Sequence, residues 1–308
     1  MVSPVENIGF IGLGAMGFPM ARRLLQGGKF NVSVLDIDRS RMDSMQSEGT
    51  TIAESPRAIA EKSDLVITML PNSPEVETVM FGNEGVVAGR GQDNIVIDMS
   101  TIDPSVTRKV ADEVHAKGAH MLDAPVGRTS FHAESGELLI MVGGEETLLT
   151  HCREVLEHFG KDIIHCGPVS SGGTMKLVNN ILTTTIVAAN AEALVLGAKA
   201  GLDTECMLKV LRSIAASNTH LASTYAVQAL AGNITPGFAV KLAEKDVGLA
   251  LKMARDSDAP IHLADSTLAL LREAREKGHA DDDYTSLLFL LEEKAGVTIR
   301  EKKSDGMK

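Results

Sequence analysis

At 308 residues the chain exceeds what one compact core usually holds, so two domains are expected. Hydrophobic residues make up 44% of it, which argues against overall disorder. Lys and Arg total 30 against 41 Asp and Glu, a formal charge of -11; this disfavours a nucleic-acid or anionic-membrane partner, and an anionic substrate would need a local cationic pocket.

In chain order, the opening Met1 to Asn7 lacks the basic segment and apolar run of a secretory signal. Short β-rich runs at Ile8 to Ile11, Val32 to Leu35, Leu65 to Met69, Ile95 to Asp98 and His120 to Leu122 then alternate with helical segments. Such alternation predicts an α/β fold with a parallel, doubly wound Rossmann-type sheet. Further strands at Leu138 to Val142 and Ile163 to His165, around a helix from Glu145 to Phe159, complete it. Gly167 to Gly173 reads as a turn without regular structure, which sets the domains at 1–168 and 169–308.

The second domain reads as all-helical, with segments near Thr174 to Ala200, Thr204 to Ala215, Leu221 to Ala231, Ala239 to Asp256, Leu263 to Lys277 and Tyr284 to Gly296. Its least charged stretch, Leu177 to Ala191, holds Asn179, Asn180 and three threonines, is too short to span a bilayer, and reads as a helix buried in protein. The polar tail from Arg300 is expected to fray. Cys152, Cys166 and Cys206 form no CxxC pair and read as reduced cytoplasmic thiols. The nine histidines show no metal-ligand spacing, His165 beside Cys166 being an ordinary strand-end pair, so no metal is expected.

Gly12-Leu-Gly14-Ala15-Met16-Gly17 follows the first strand and opens a helix, the context that makes a GxGxxG pattern informative. There the backbone can approach a pyrophosphate at the helix N-terminus. Asp36, 19 residues after Gly17, ends the second strand, where its carboxylate can accept hydrogen bonds from a ribose and repel a 2′-phosphate. NAD(H) is therefore expected over NADP(H), although Arg39 and Arg41 stand close by and arginines can accommodate a phosphate. Leu70, Pro71 and Asn72 after the third strand, and Ser100 and Thr101 after the fourth, occupy carboxyl ends where open α/β sheets bind ligands. Leu70 and Pro71 would line the cofactor, Thr101 would meet its nicotinamide half, and Ser100 would face substrate; loop or helix-cap roles are the alternative for each.

Lys176, Asn179 and Asn180 lie at i, i+3 and i+4, on one face of the long helix. The dipole at a helix start disfavours an ammonium, which suits a lysine to proton transfer. Upstream, Arg128 with Thr129 and Ser130 offers a fixed-charge fork for a carboxylate, sulfonate or phosphate. Solvated surface charge is the alternative for Lys176, Arg128 and Lys245 alike.

Gly12 to Gly17, Asp123-Ala-Pro-Val126, Gly172-Gly-Thr-Met-Lys176-Leu-Val-Asn-Asn180 and Lys245-Asp246 resemble, in order, the signatures of the β-hydroxyacid dehydrogenases, a family that includes 3-hydroxyisobutyrate dehydrogenase. The likeness covers nearly the whole chain. It implies Lys176 as catalytic acid-base, Asn180 as substrate-orienting, Lys245 near cofactor and substrate, and a homodimer or homotetramer. Pro125 to Ser130, with Gly127-Arg128-Thr129 where most members carry Ser-Gly-Gly, is similar to the loop of members that reduce 3-sulfolactaldehyde to 2,3-dihydroxypropane-1-sulfonate with NADH. That likeness implies sulfonate binding by Arg128 and by Asn179, Asn180 and Thr183. Arg23, where an asparagine is usual, and Thr183, where another small residue is expected, depart from the pattern. The rival readings are a 3-hydroxyisobutyrate, tartronate semialdehyde or succinic semialdehyde dehydrogenase, an imine reductase, and a non-catalytic dinucleotide-binding protein.

Overall fold

The computed structural model describes residues 4–301; the expected fraying of the tail falls largely outside them. The first half builds β1 (Asn7–Ile11), α1 (Gly17–Gln26), β2 (Asn31–Leu35), α2 (Arg39–Glu48), β3 (Thr51–Ile52), α3 (Pro56–Glu61), β4 (Leu65–Thr68), α4 (Ser73–Met80), β5 (Ile95–Asp98), α5 (Pro104–Ala116), β6 (His120–Asp123), β7 (Val126–Gly127), α6 (Ser130–Ser135), β8 (Leu139–Gly143), α7 (Glu146–Glu157) and β9 (Asp162–Gly167). The sheet order is β3-β2-β1-β4-β5-β6-β8-β7, with β9 paired to β8.

β4 and β5 are buried at every residue, as β-branched runs are when helices cover both faces of a parallel sheet. Their side chains divide between two apolar layers: Leu65, Ile67, Ile95 and Ile97 join one, Val66 and Val96 the other. β1 lies between β2 and β4, so the strand order reverses there and the loops after β1 and β4 open side by side. The sheet is not wholly parallel: β8 runs antiparallel to β6 and β7, with Asp123 opposite Gly143 and Val126 opposite Ile140. β3 and β7, two residues each, are too short to show a periodicity and have no counterpart among the predicted strands.

The expected turn at Gly167 to Gly173 is corrected: α8 (Ser171–Lys199) starts inside it and runs 29 residues. By length and composition this helix is long and apolar enough to cross a bilayer, unlike the shorter run read from sequence. Its Val187, Ala191 and Leu194 belong to the apolar core of the helical unit, whereas Val178, Leu182 and Leu196 are exposed, so it is less buried than the sequence suggests. There follow α9 (Thr204–Ser213), a π turn running into α10 (Tyr225–Val227), α11 (Val240–Asp256), α12 (Leu263–Ala274) and α13 (Leu287–Ala295). The predicted helix at 221–231 is instead broken into π, α and 3-10 turns ending at Gly232, whose φ is 73°. Two compact units result, dividing at Lys176 and Leu177 within α8, eight residues beyond the boundary that the glycine-rich segment suggests.

Candidate active site

The three glycines after β1 do three different jobs. Gly12 has a φ of 98°, and a Cβ there would stand 2.3 Å from the Met69 carbonyl oxygen. A Cβ on Gly17 would fall 1.9 Å from the Gly12 carbonyl oxygen, so α1 packs against the loop only because that atom is missing. Around Gly14 there is open space, and Gly14 and Ala15 are exposed while Met16 is half-buried. Asp36 is turned into this loop: one carboxylate oxygen accepts the Leu13 N–H at 2.5 Å and the other the Asp38 N–H at 2.7 Å. Arg41 holds the Leu13 carbonyl oxygen at 2.6 Å, and Arg39 is paired with Asp43 at 2.8 Å. Ile37, beside Asp36, is fully exposed, a flat apolar surface that no sequence motif marks.

After β4, Leu70 donates its N–H to the buried Ser100 hydroxyl at 2.9 Å, so Ser100 ties two strand-end loops together. Pro71 is exposed, Thr101 half-buried, and Asn72 precedes α4 with its side-chain carbonyl oxygen buried and without a protein hydrogen-bond partner. An open approach at Gly14, an acceptor at Asp36 and an orphaned amide oxygen at Asn72 fit a dinucleotide.

The first turn of α8, which carries Lys176, is built on Asp123. That carboxylate is 2% exposed and accepts the N–H groups of Ser170 at 2.6 Å and Gly173 at 2.7 Å. Burial pushes its carboxyl up to about 6, Asp98 in register on β5 adds to the rise, and the two amides oppose it. Lys176 itself is half-buried. Asp123 is a member of the Asp-Ala-Pro-Val motif, but nothing in the sequence shows it reaching a helix 50 residues on.

Further along α8, Asn179 donates to the Asn180 side-chain oxygen at 2.9 Å, and Asn180, 4% exposed, donates to Asp246 of α11 at 2.5 Å. The other Asp246 oxygen lies 3.1 Å from the Lys245 ammonium. Asn179, Asn180 and Lys245 are thus brought together by a buried carboxylate that the sequence marks only as a local partner of Lys245. Thr183 sits half-buried one turn on. Lys245 also lines a cavity of about 420 Å³ with Lys241, Arg272 and Arg275, where Glu244 takes Arg275 at 2.6 Å. This is a local cationic surface on an acidic chain.

Arg128 has partners of its own within the first unit. Its φ is 75°, one guanidinium nitrogen meets Asp162 at 2.5 Å and another the Glu137 carbonyl oxygen. Thr129 precedes α6 and shares a capping box with His132, the hydroxyl 2.9 Å from the ring nitrogen, and Ser130 begins that helix. Arg23, the departure noted above, reaches the His158 carbonyl oxygen at 3.3 Å.

Residues 7–167 match the family described as the NAD binding domain of 6-phosphogluconate dehydrogenase, and 170–291 match the NAD-binding domain of NADP-dependent 3-hydroxyisobutyrate dehydrogenase. The chain is 36% identical over 295 residues to 3-sulfolactaldehyde reductase of Escherichia coli, covering 96% of this chain and 99% of that protein. It is 35% identical to mitochondrial 3-hydroxyisobutyrate dehydrogenase of Mus musculus, covering 93% and 87%. Its fold superposes on Mycobacterium tuberculosis 3-hydroxyisobutyrate dehydrogenase, solved with L-serine, with a TM-score of 0.85 at 30% identity, covering 93% and 99%. The chain belongs to the 3-hydroxyisobutyrate dehydrogenase-like family of β-hydroxyacid dehydrogenases, NAD(P)-dependent oxidoreductases that act on the CH–OH groups of small hydroxyacids and the corresponding aldehydes.

Proposed function

We propose that this enzyme uses NADH to reduce a small anionic aldehyde, with 3-sulfolactaldehyde and 2,3-dihydroxypropane-1-sulfonate as the preferred pair. The observation that carries the substrate choice is the loop Pro125 to Ser130, where an arginine with a φ of 75° and two hydroxyl residues stand in a chain 36% identical to a 3-sulfolactaldehyde reductase. A sulfonate offers three acceptor oxygens; Arg128 retains guanidinium N–H groups beyond those given to Asp162 and Glu137, and Thr129, Ser130, Asn179, Asn180 and Thr183 add donors. The nicotinamide, when bound, supplies the hydride. Lys176 gives its proton to the carbonyl oxygen as alkoxide character develops, and takes it back from the hydroxyl in oxidation. Asn179, the more exposed of the two asparagines, orients the reacting oxygen, and Asp246 holds Asn180 and Lys245 in fixed directions.

The preference for NADH rests on Asp36 facing the glycine loop and on Arg39 and Arg41 being committed to Asp43 and Leu13, which leaves neither arginine poised for a 2′-phosphate. A homodimer or homotetramer accords with the exposed Leu182 and Leu196 of α8.

The test is a panel of 3-sulfolactaldehyde, succinic semialdehyde, tartronate semialdehyde and methylmalonate semialdehyde with NADH and NADPH, ranked by kcat/KM. Arg128→Ala should cost the sulfonate substrate about 1.5–3 kcal/mol in transition-state binding and an uncharged aldehyde much less. Equal losses on both would remove Arg128 from the substrate site. The second reading, a 3-hydroxyisobutyrate-type dehydrogenase, is supported by the 35% identity to the mouse enzyme, nearly that to the sulfolactaldehyde reductase. A methylmalonate semialdehyde preference in the panel selects it.

A further inference from the structure

A helix start leaves its first backbone N–H groups without intrahelical partners, and a side chain just ahead of the helix usually satisfies one of them. α8 does this differently. Ser170, the residue before it, has a φ of 76°, and its hydroxyl is taken by Arg108 of α5 at 3.1 Å. In this left-handed conformation its amide turns, together with that of Gly173, onto a carboxylate delivered from β6. The surrounding glycines make the room. A Cβ on Gly143 would fall 2.3 Å from an Asp123 carboxylate oxygen, and one on Gly172 would fall 2.3 Å from the Met141 carbonyl oxygen.

We propose that Asp123 is the positioning residue for Lys176: by accepting the Ser170 and Gly173 amides it fixes the first turn of α8, and with it the direction of the lysine three residues beyond. The inference rests on Lys176 being the acid-base group. The carboxylate must be ionised to accept both amides, because protonation turns one of its oxygens into a donor. Asp98 on β5 and Cys166 on β9 stand around it, Arg108 on α5 reaches Ser170, one of its two donors, and His165 on β9 turns its ring to the Gly144 carbonyl oxygen. Asp98 raises the carboxyl, and the Cys166 thiol, itself raised by burial and by Asp123, stays neutral. Arg108 donates to the Ser170 hydroxyl. The Asp123 carboxyl, pushed up to about 6, changes charge near that pH, and below it the helix start loosens.

Hydrogen–deuterium exchange of the amides at 170–173 tests the tether without any substrate. In wild type, protection corrected for intrinsic exchange should fall about tenfold between pH 7.5 and 5, the effect of losing one charge-assisted hydrogen bond. In Asp123→Asn it should be low and independent of pH. The catalytic arm uses NADH and whichever of the four panel aldehydes wild type reduces fastest. Asp123→Asn should lower kcat at pH 7.5 about 10- to 100-fold, abolish the acid limb that wild type shows near pH 6, and leave the Kd for NADH within twofold. Protection that does not change with pH in wild type overturns the proposal even if the variant fails to fold. So does an unchanged kcat profile in a folded variant. If Lys176→Ala kept full turnover while the exchange result held, the acid-base reading would fall and the tether would stand.

Discussion

Lys176 is the residue on which the proposed chemistry turns, and its surroundings separate proton transfer from cofactor binding. The groups proposed to face a dinucleotide, Gly14, Asp36 and Asn72, lie at the ends of β1, β2 and β4, whereas Lys176 rides on α8. Lys176→Ala should therefore lower kcat by about 10²- to 10⁴-fold, the usual contribution of general acid-base catalysis, with NADH affinity within twofold by fluorescence titration. Turnover that survived the change would assign the proton to another group. Asn180 has less freedom than its motif implies, since its amide donates to Asp246 and its oxygen accepts from Asn179. Asn179 is therefore the member of the pair that we propose faces substrate.

At the scale of elements, the β1–α1 loop shows what a glycine spacing can and cannot tell. Gly17→Ala should destabilise the fold by about 1–3 kcal/mol or prevent folding, because its methyl overlaps the Gly12 carbonyl. Gly14→Ala should leave the Tm unchanged and weaken NADH binding about tenfold, since a methyl there enters only the space where a pyrophosphate would approach. Equal effects of the two on Tm would contradict this division of roles. That loop, Asp36 and the Lys-Asn-Asn face of α8 were legible in the sequence because each signal is local. The start of α8 was not. Gly172 and Gly173 look like chain breakers in one dimension, yet in three they are bare so that β6 and β8 can close on the helix. The antiparallel turn of β8 was hidden for a similar reason, as alternation of side chains carries no strand direction. The link from Asn180 to Asp246 spans 66 residues and leaves no trace in either motif.

At the scale of the whole molecule, one buried acid ties stability to pH. Burial lifts the Asp123 carboxyl from 3.8 to about 6, so the folded chain favours its neutral form. The stability contributed by this group is complete below the unfolded value and is lost as the pH rises through about 6. The difference amounts to about 3 kcal/mol. Urea unfolding of wild type and Asp123→Asn should therefore show wild type losing up to that amount relative to the variant between pH 4 and 7, and parallel curves would exclude it. Fold and chemistry pull this carboxyl in opposite directions, a trade common where a site needs a charge that the core resists. The division between the two units carries a practical consequence, since it falls inside a continuous helix and not in a linker. Chimeras that trade halves among relatives should therefore lose stability wherever the splice falls in α8, whose start is held by Asp123 and whose Val187, Ala191 and Leu194 belong to the second core.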